Sequence, residues 1–437
     1  DADPRCADHL DFPCFTLYPV RGRNELGADG FRRGAPARLA EACDYYRPIS
    51  GATGVMELQP GQINWAATNP QVMPGAVHMW LLHAFGGGCS FACTYRYRHP
   101  LRGSEMYHDG IVGTDGVTLS PGGREFVQAI EEMRKLRQAY NPAARLPERV
   151  AKRRTAVLWS HDVMWDLDIQ PQSESWNTWR HRNLYTTAVK SAGAPVDFIS
   201  ADDDFSAYPF LVAPAYQMVT PELVAKWRAY ASAGGHLIQS CRTGQKNELG
   251  HFFEAGWAAP VVPLIGARVD FFDMLLPDGQ AAVRAGSTDF AWNVWGDVLS
   301  PEAGTEVLAT YADQFYAGQA AAVTRRLGKG TVTYIGVESK DGLLERELVR
   351  DVYRRAGVAI EDLPKGVYLE WRDGFFVAVN YSGETVILPI PIGARVLMAW
   401  IFGWLVGTGL PPTATYIILA VIIGDPMRKM GIDPWIA

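Results

Sequence analysis

The stretch that decides the fold covers residues 54–65 and reads Gly54-Val55-Met56-Glu57-Leu58-Gln59-Pro60-Gly61-Gln62-Ile63-Asn64-Trp65. Its first five residues are mostly apolar and precede a Pro-Gly turn signal, which predicts a short buried strand. Glu57 lies near the carboxyl end of that strand, where catalytic groups lie in a (β/α)8 barrel. An ionised carboxylate in an apolar strand is costly unless it is paired or functional. Spacing alone therefore leaves two readings of Glu57 open, a catalytic one and a structural one with loop amides as partners.

Strands and helices alternate on both sides of this stretch. Strands are predicted over 10–18, 54–58 and 88–97, and helices over 37–46, 75–85 and 121–140, the last with Ser120 as its N-cap. A β-loop-α unit repeated three times is typical of part of a parallel α/β domain. Three such units cannot close an eight-stranded barrel.

A second α/β region follows a basic, proline-containing linker at residues 141–152. It is predicted to contain strands over 155–160, 196–200, 210–213, 236–240 and 323–337, and helices over 174–191, 221–233 (with Thr220 as N-cap) and 342–357. This alternation predicts a flavodoxin-like doubly wound sheet. Residues 366–391 then indicate a small all-β unit with a hairpin turn at Arg372-Asp373-Gly374.

The character of the chain changes near its end. Residues 396–424 contain no charged side chain, which is a transmembrane signal. Leu410-Pro411-Pro412 interrupts the run, so two short or re-entrant apolar segments fit better than one helix. We expect this hydrophobic, membrane-like tail, residues 396–437, to be foreign to the fold.

Composition excludes some classes of function. The 437 residues are 48% hydrophobic and 20% charged, and the net charge of −6 with no basic run argues against a nucleic-acid partner. Fourteen Trp and eighteen Tyr are many, and carbohydrate sites use such rings as stacking platforms, as buried cores also do. The first residue, Asp1, is no initiator Met and no apolar leader follows it, so we expect a cytoplasmic protein whose chain starts part-way through a longer one.

Six cysteines match neither a disulfide framework nor a zinc motif. Cys89 and Cys93 are four apart on a predicted strand and are interpreted as buried small hydrophobic side chains on one face. Gly86-Gly87-Gly88 precedes a strand instead of following one, so it is no phosphate loop. Ser160-His161-Asp162 is adjacent only in sequence, whereas a triad is assembled in space.

The stretch at 54–65 resembles the nucleophile segment of the β-galactosidases of glycoside hydrolase family 42. Further segments match in the same order, at residues 11–20, 80–98, 105–108, 157–165 and 236–273. The resemblance implies the C-terminal portion of a (β/α)8 TIM barrel at 1–145, holding strands six to eight. It further implies a flavodoxin-like trimerisation domain at 150–362 and a small β-domain at 363–395. Residues 407–417 instead resemble part of a TRAP-type transporter permease.

The same resemblance assigns roles to individual residues. It makes Glu57 the nucleophile of a retaining glycosidase and Trp65 a wall of the galactose subsite, where the alternative is a core tryptophan. Glu105 and His108 match residues that bind sugar hydroxyls; by themselves they could lie in a solvated loop, and as two ligands they make a poor metal site. Tyr18 and Tyr95 also match subsite positions.

The acid/base is absent from the matched segments. In the family it is the Glu of an Asn-Glu pair that ends the fourth strand. Asn24-Glu25 occurs here, but it follows Arg-Gly-Arg instead of an apolar strand, so we interpret it as a coincidental dipeptide. The family's cysteine-based zinc site is likewise expected outside this chain.

These observations predict a β-galactosidase that hydrolyses terminal β-D-galactosyl residues, present here as an incomplete chain without its acid/base. The partners expected are a β-galactoside and two further copies of the chain, with no cofactor and no metal. A non-catalytic sugar-binding or oligomerisation protein of the same descent is the first alternative. A membrane protein is the second, and it depends only on a genuine tail.

Overall fold

The computed structural model describes residues 9–21, 29–388 and 396–400, the last five by their backbone only. By contacts the chain divides into two compact units: unit 1 is Asp1–Leu146 with Leu363–Ala437, and unit 2 is Pro147–Asp362. In the described residues no helix is both long enough and apolar enough to cross a membrane. Asn24-Glu25 and most of the charge-free tail lie outside the described residues.

The first part of unit 1 alternates strands and helices. Its elements are β1 Cys14–Leu17, α1 Gly30–Arg33, α2 Pro36–Ser50, β2 Thr53–Leu58, α3 Ala76–Gly86, β3 Cys89–Thr94 and α4 Pro121–Leu136. The strands form a parallel three-stranded sheet in the order β1-β2-β3. Ser120 caps α4 as expected, because its side chain accepts a hydrogen bond from Gly123 N at 3.0 Å. A core that includes Val55, Leu58 and Trp80 joins the sheet to the helices.

One expectation about this sheet is wrong. Cys89 is buried, but Cys93 is exposed. The pairing explains the difference: Thr53 lies opposite Cys89 and Val55 opposite Ala92, so β3 carries one extra residue between these pairs. Such a bulge shifts the alternation of side chains, and residues four apart then no longer share a face.

The hairpin after unit 2 returns to unit 1. It consists of β15 Val367–Arg372 and β16 Phe375–Asn380, and the turn residues Asp373 and Gly374 both have positive φ, as a tight hairpin requires. A third strand, β17 Val396–Trp400, pairs in parallel with β16. The first five residues of the charge-free tail therefore continue this small sheet. Tyr381 OH lies 2.9 Å from Nδ1 of the buried His83, which ties the hairpin to α3.

Unit 2 is built on a larger sheet. Its elements are α5 Glu148–Ala151, β4 Thr155–Leu158, α6 His161–Ile169, α7 Thr178–Ser191, β5 Val196–Ile199, β6 Phe210–Ala213, α8 Pro221–Ala233, β7 His236–Ser240, α9 Val262–Ile265, β8 Ala267–Asp273, β9 Ala281–Ala285, β10 Thr288–Pro301, β11 Glu306–Tyr311, β12 Ala320–Leu327, β13 Gly330–Ile335, β14 Val337–Ser339 and α10 Leu343–Arg355.

Five strands of this sheet are parallel and run in the order β13-β7-β6-β4-β5. In chain order this is the 2-1-3-4-5 arrangement of doubly wound sheets. The strands β8 to β12 and β14 extend the sheet with antiparallel pairings. Of this region the sequence predicted only one strand, over 323–337, which covers parts of β12 and β13. The helix α6 was also not predicted, and the helix expected from residue 174 begins only at Thr178.

Candidate active site

The carboxyl ends of β1, β2 and β3 lie at one edge of the parallel sheet. Leu17 is paired with Leu58, and Leu58 with Thr94, so the residues that follow these three positions meet there. Tyr18 follows the first strand and Tyr95 the third, while Glu57 is the last residue but one of the central strand. This edge is where a parallel α/β domain places its functional side chains.

The buried side chain of Gln59 fixes the two loops that leave β1 and β2. Its Nε2 donates hydrogen bonds to Val20 O at 3.1 Å and to Gly61 O at 2.9 Å, and its Oε1 accepts one from Val20 N at 2.8 Å. Both Nε2 hydrogens and one lone pair of Oε1 are used in these contacts. Nothing in the sequence indicated this role, because a glutamine after a strand is ordinary until its partners across the chain are known.

Glu57 is held by Tyr18. The Tyr18 hydroxyl donates to Glu57 Oε2 at 3.1 Å. Burial is the largest cause that raises the pKa of Tyr18, and the hydrogen bond to Glu57 and the charge of Glu57 raise it further. The phenol therefore keeps its proton and acts as a donor. The Tyr18 ring meets Trp65 edge to face, with centroids 4.9 Å apart. Trp65 is 47% exposed and is therefore not a core residue.

His108 is fully buried, which excludes a solvated loop as its environment. Its ring meets the rings of Tyr18 and Tyr95 at right angles, at centroid distances of 6.1 and 5.5 Å. Nδ1 lies 2.8 Å from the carbonyl oxygen of Asp109, and a carbonyl only accepts, so Nδ1 carries a hydrogen. In the neutral ring Nε2 then presents a lone pair. Among the described residues that buried atom has no hydrogen-bond partner.

Glu105 belongs to the same cluster. Its Oε2 accepts hydrogen bonds from Tyr95 OH at 2.7 Å and from Arg96 Nη2 at 3.0 Å. Arg96 also donates to Tyr95 OH, and its guanidinium lies over the Tyr95 ring at 4.7 Å from the centroid. Arg96 was not among the residues selected from the sequence. One feature of the sequence could have indicated Arg96: it adjoins the selected Tyr95, and Glu105 follows in the same loop.

The six residues selected from the sequence thus lie in one connected network. Glu57 contacts Tyr18, Tyr18 contacts Trp65 and His108, and His108 contacts Tyr95, which contacts Glu105. The network offers one carboxylate at a strand end, a second paired with an arginine, an imidazole acceptor and an exposed indole. In the described part of the chain no group of three or more His, Cys, Asp or Glu side chains could hold a metal ion.

Unit 2 contains a different constellation that resembles a hydrolytic triad. His181 Nε2 lies 2.8 Å from Ser240 Oγ, and His181 Nδ1 lies 2.6 Å from Glu338 Oε2. All three residues are completely buried. Ser240 Oγ also accepts a hydrogen bond from Ala215 N at 2.6 Å. A substrate has no access to this serine, so the group serves as a structural network.

Comparison with known protein families gives two matches, one within each of the two units. The β-galactosidase model of glycoside hydrolase family 42 matches residues 3–136, and the model of the β-galactosidase trimerisation domain matches residues 153–359. The chain belongs to glycoside hydrolase family 42. The family fold has a TIM-barrel part and a trimerisation domain; the first match lies within unit 1 and the second within unit 2.

Individual relatives agree with this membership. A β-galactosidase of Haloferax lucentense is 30% identical over 394 residues, which are 89% of this chain and 57% of the relative. A β-galactosidase of Thermus thermophilus is 28% identical, over 90% of this chain and 58% of the relative. The solved β-galactosidase of Halorubrum lacusprofundi superposes with a TM-score of 0.78 at 31% identity, over 85% of this chain and 55% of that chain. This chain thus spans little more than half the length of the relatives it matches.

Proposed function

We propose that this chain carries the nucleophile half of a retaining β-galactosidase that removes terminal β-D-galactosyl residues. The observation that carries the proposal is the position of Glu57, at the carboxyl end of β2 and within 3.1 Å of the Tyr18 hydroxyl. Retaining glycosidases use one carboxylate as nucleophile and a second as acid/base, about 5–5.5 Å apart. The named activity of the family 42 relatives supports the substrate class.

The reaction assigned to Glu57 has two steps. Its carboxylate attacks the anomeric carbon while the glycosidic oxygen leaves with a proton, and water then cleaves the glycosyl–enzyme ester. We infer that the acid/base is not carried by this chain. In the described residues the other carboxylate of the network is Glu105, which is paired with Arg96 and therefore suits hydrogen-bond acceptance.

The remaining residues form the proposed galactose subsite. Trp65 offers an exposed indole face to the sugar ring. Glu105 and the Nε2 lone pair of His108 accept hydrogen bonds from sugar hydroxyls, and Tyr95 orients Glu105. Sites with such convergent acceptors reject analogues that lack the matching hydroxyl, because buried acceptors are then left unpaired.

The test uses a completed protein, in which the full chain follows the part of the Halorubrum lacusprofundi relative that precedes the matched segment. We expect this protein to hydrolyse an aryl β-galactoside and Glu57→Gln to abolish turnover. Glu131→Gln is the control, because Glu131 is exposed on α4. The chain by itself should give neither turnover nor a burst of phenol, since positioning by the rest of a barrel is needed. Equal activity of Glu57→Gln and Glu131→Gln would contradict the proposal.

We also propose that unit 2 assembles the protein as a homotrimer, as the name of its matching domain indicates. Sedimentation of the full chain should then give three times the monomer mass. A clean monomer at micromolar concentration would contradict it. The non-catalytic alternative has one supporting observation, the lack of an unpaired second carboxylate in the described network. Galactose binding by the completed protein without any turnover would favour it.

A further inference from the structure

Four aromatic rings of unit 2 form a continuous ladder at the surface. Trp165, His161, Trp159 and Trp179 follow one another with centroid distances of 5.8, 5.3 and 5.5 Å. The two ends are open: Trp165 is 58% exposed and Trp179 47% exposed. The inner Trp159 is 7% exposed. The ladder therefore presents two separated apolar faces instead of one broad patch.

Three rings of the ladder, those of Trp159, Trp179 and His161, are held in place by further contacts. The guanidinium of Arg182 lies 3.8 Å from the centroid of Trp159 and 4.2 Å from that of Trp179. Arg182 itself is buried, so this double cation–π contact is protected from water and strong for its class. On the other side of Trp159, its indole N–H donates to His161 Nε2 at 3.3 Å. Rings that are already fixed lose little conformational entropy when a ligand binds.

The ladder also begins next to the position where sheets of this type bind ligands. Trp159 directly follows β4, and β4 lies between β5 and β6 in the parallel sheet. The strand order reverses between β4 and β6, and the ladder extends from β4 toward β5, because the Trp159 ring lies 5.9 Å from that of Phe198 on β5. Ligands of doubly wound sheets bind outside the carboxyl ends of the strands at this reversal.

The polar groups beside the ladder define the ligand. Asp162 and Trp165 are three residues apart on α6 and so share one face of it, and Asp162 is exposed. Asp168 is also exposed and accepts a hydrogen bond from Thr178 Oγ1 at 2.7 Å. Carboxylates disfavour an anionic ligand and accept hydrogen bonds from hydroxyl groups. Ring faces with hydroxyl acceptors at their edge match a neutral sugar.

We propose that this ladder is a saccharide-binding site, distinct in residues from the Glu57 site, which takes a neutral oligosaccharide with one sugar ring on Trp165 and another on Trp179. A longer ligand fits better than a monosaccharide, because the half-buried His161 and the buried Trp159 lie between the two exposed rings. The site is made only of unit 2 residues. It does not require the activity proposed above.

The experiment titrates the full chain with β-1,4-linked galactotriose and follows binding by saturation-transfer NMR and calorimetry. Trp165→Ala and Trp179→Ala should each weaken binding about tenfold, the scale of one aromatic contact with its buried area. Methyl β-galactoside should bind less tightly than the trisaccharide. A trigalacturonate should bind more weakly than galactotriose, and Asp162→Asn should reduce that difference. Phe315→Ala, which removes an 86% exposed ring elsewhere in unit 2, is the control and should leave affinity unchanged.

Trp65→Ala separates this site from the proposed subsite in unit 1. If binding is lost in Trp65→Ala and kept in Trp165→Ala, the ladder is not a saccharide site. The proposal is also overturned if Trp165→Ala leaves the affinity for galactotriose unchanged. It is equally overturned if galactotriose does not bind the full chain and Trp165→Ala changes the sedimentation of the protein. That last result would assign the ladder to contacts between copies of the chain. Far-ultraviolet circular dichroism confirms that each variant is folded.

Discussion

The Tyr18 hydroxyl supplies the hydrogen bond that holds Glu57 at the strand end. A hydrogen bond to a charged group contributes about 1.5–3 kcal/mol, so Tyr18→Phe should lower kcat of the completed protein by roughly 10- to 100-fold. Folding should be kept, because the ring and its contact with Trp65 remain. Tyr107→Phe, at a 79% exposed tyrosine of the same unit, provides the comparison. Unchanged kcat in Tyr18→Phe would show that this contact is not used.

Arg96 is expected to position Glu105 and not to take part in bond cleavage. Arg96→Ala should therefore raise KM for an aryl galactoside by about tenfold and change kcat much less, since sugar binding depends on Glu105. Arg96→Lys keeps the charge but loses the planar group over Tyr95, so it should restore part of the loss. A loss confined to kcat, or equal effects of both variants, would contradict this role.

At this scale the sequence located residues that contact one another, and their catalytic and binding roles stay predictions. All six selected residues lie in one network, because strand ends and the loop after β3 can be recognised from apolar runs and turn signals. Gln59 and Arg96 were missed, since their roles exist only through contacts between distant segments. The burial of Cys93 was predicted wrongly because a bulge in β3 has no signal in the sequence.

Among the elements, α4 approaches the site loop so closely that only glycine fits at its start. A Cβ on Gly122 would lie 1.7 Å from Pro60 O, in the loop that follows Glu57. Gly122→Ala should therefore displace that loop, lower the melting temperature and reduce activity of the completed protein. Gly113→Ala is the matched control, because its Cβ would meet nothing closer than 3.6 Å. Equal melting temperatures for the two variants would contradict the close approach.

Elements with local signals were predicted well. The helix α8 has the expected bounds, since Thr220 caps it and Pro221 occupies its first turn. The antiparallel strands β8 to β11 were missed, because their pairing joins distant segments and their apolar patterns are short. The strand β17 was missed for a different reason: its residues begin a charge-free run that resembles a membrane segment.

For unit 2 as a whole, buried carboxylates set a pH dependence of stability. Burial raises the pKa of Asp297 above its ordinary 3.8, although Tyr334 and Trp295 donate hydrogen bonds to it. Burial likewise raises the pKa of Glu345 above 4.5. The native state then binds these protons more tightly than the unfolded state. Their contribution to the free energy of unfolding is present at low pH. It is lost as the pH rises from about 4 through the pKa values that the two carboxyl groups have in the native state.

Urea unfolding at several pH values checks this contribution. Asp297→Asn cannot ionise, so its free energy of unfolding should fall less steeply with rising pH in that window than that of the parent protein. Asp278→Asn, at an exposed aspartate of the same unit, should keep the parent slope. An unchanged slope in Asp297→Asn would show that Asp297 does not bind its proton more tightly in the native state.

The central claim for the whole molecule is that Glu57 is the nucleophile. The most direct measurement treats the completed protein with a 2-fluoro-β-galactoside carrying an activated leaving group and locates the trapped sugar by peptide mass spectrometry. Retention requires a covalent glycosyl–enzyme intermediate, and the fluorinated sugar slows its hydrolysis. We predict one label, on the peptide that contains Glu57, and none in Glu57→Gln. A label on Glu105 or on any other carboxylate would contradict the assignment.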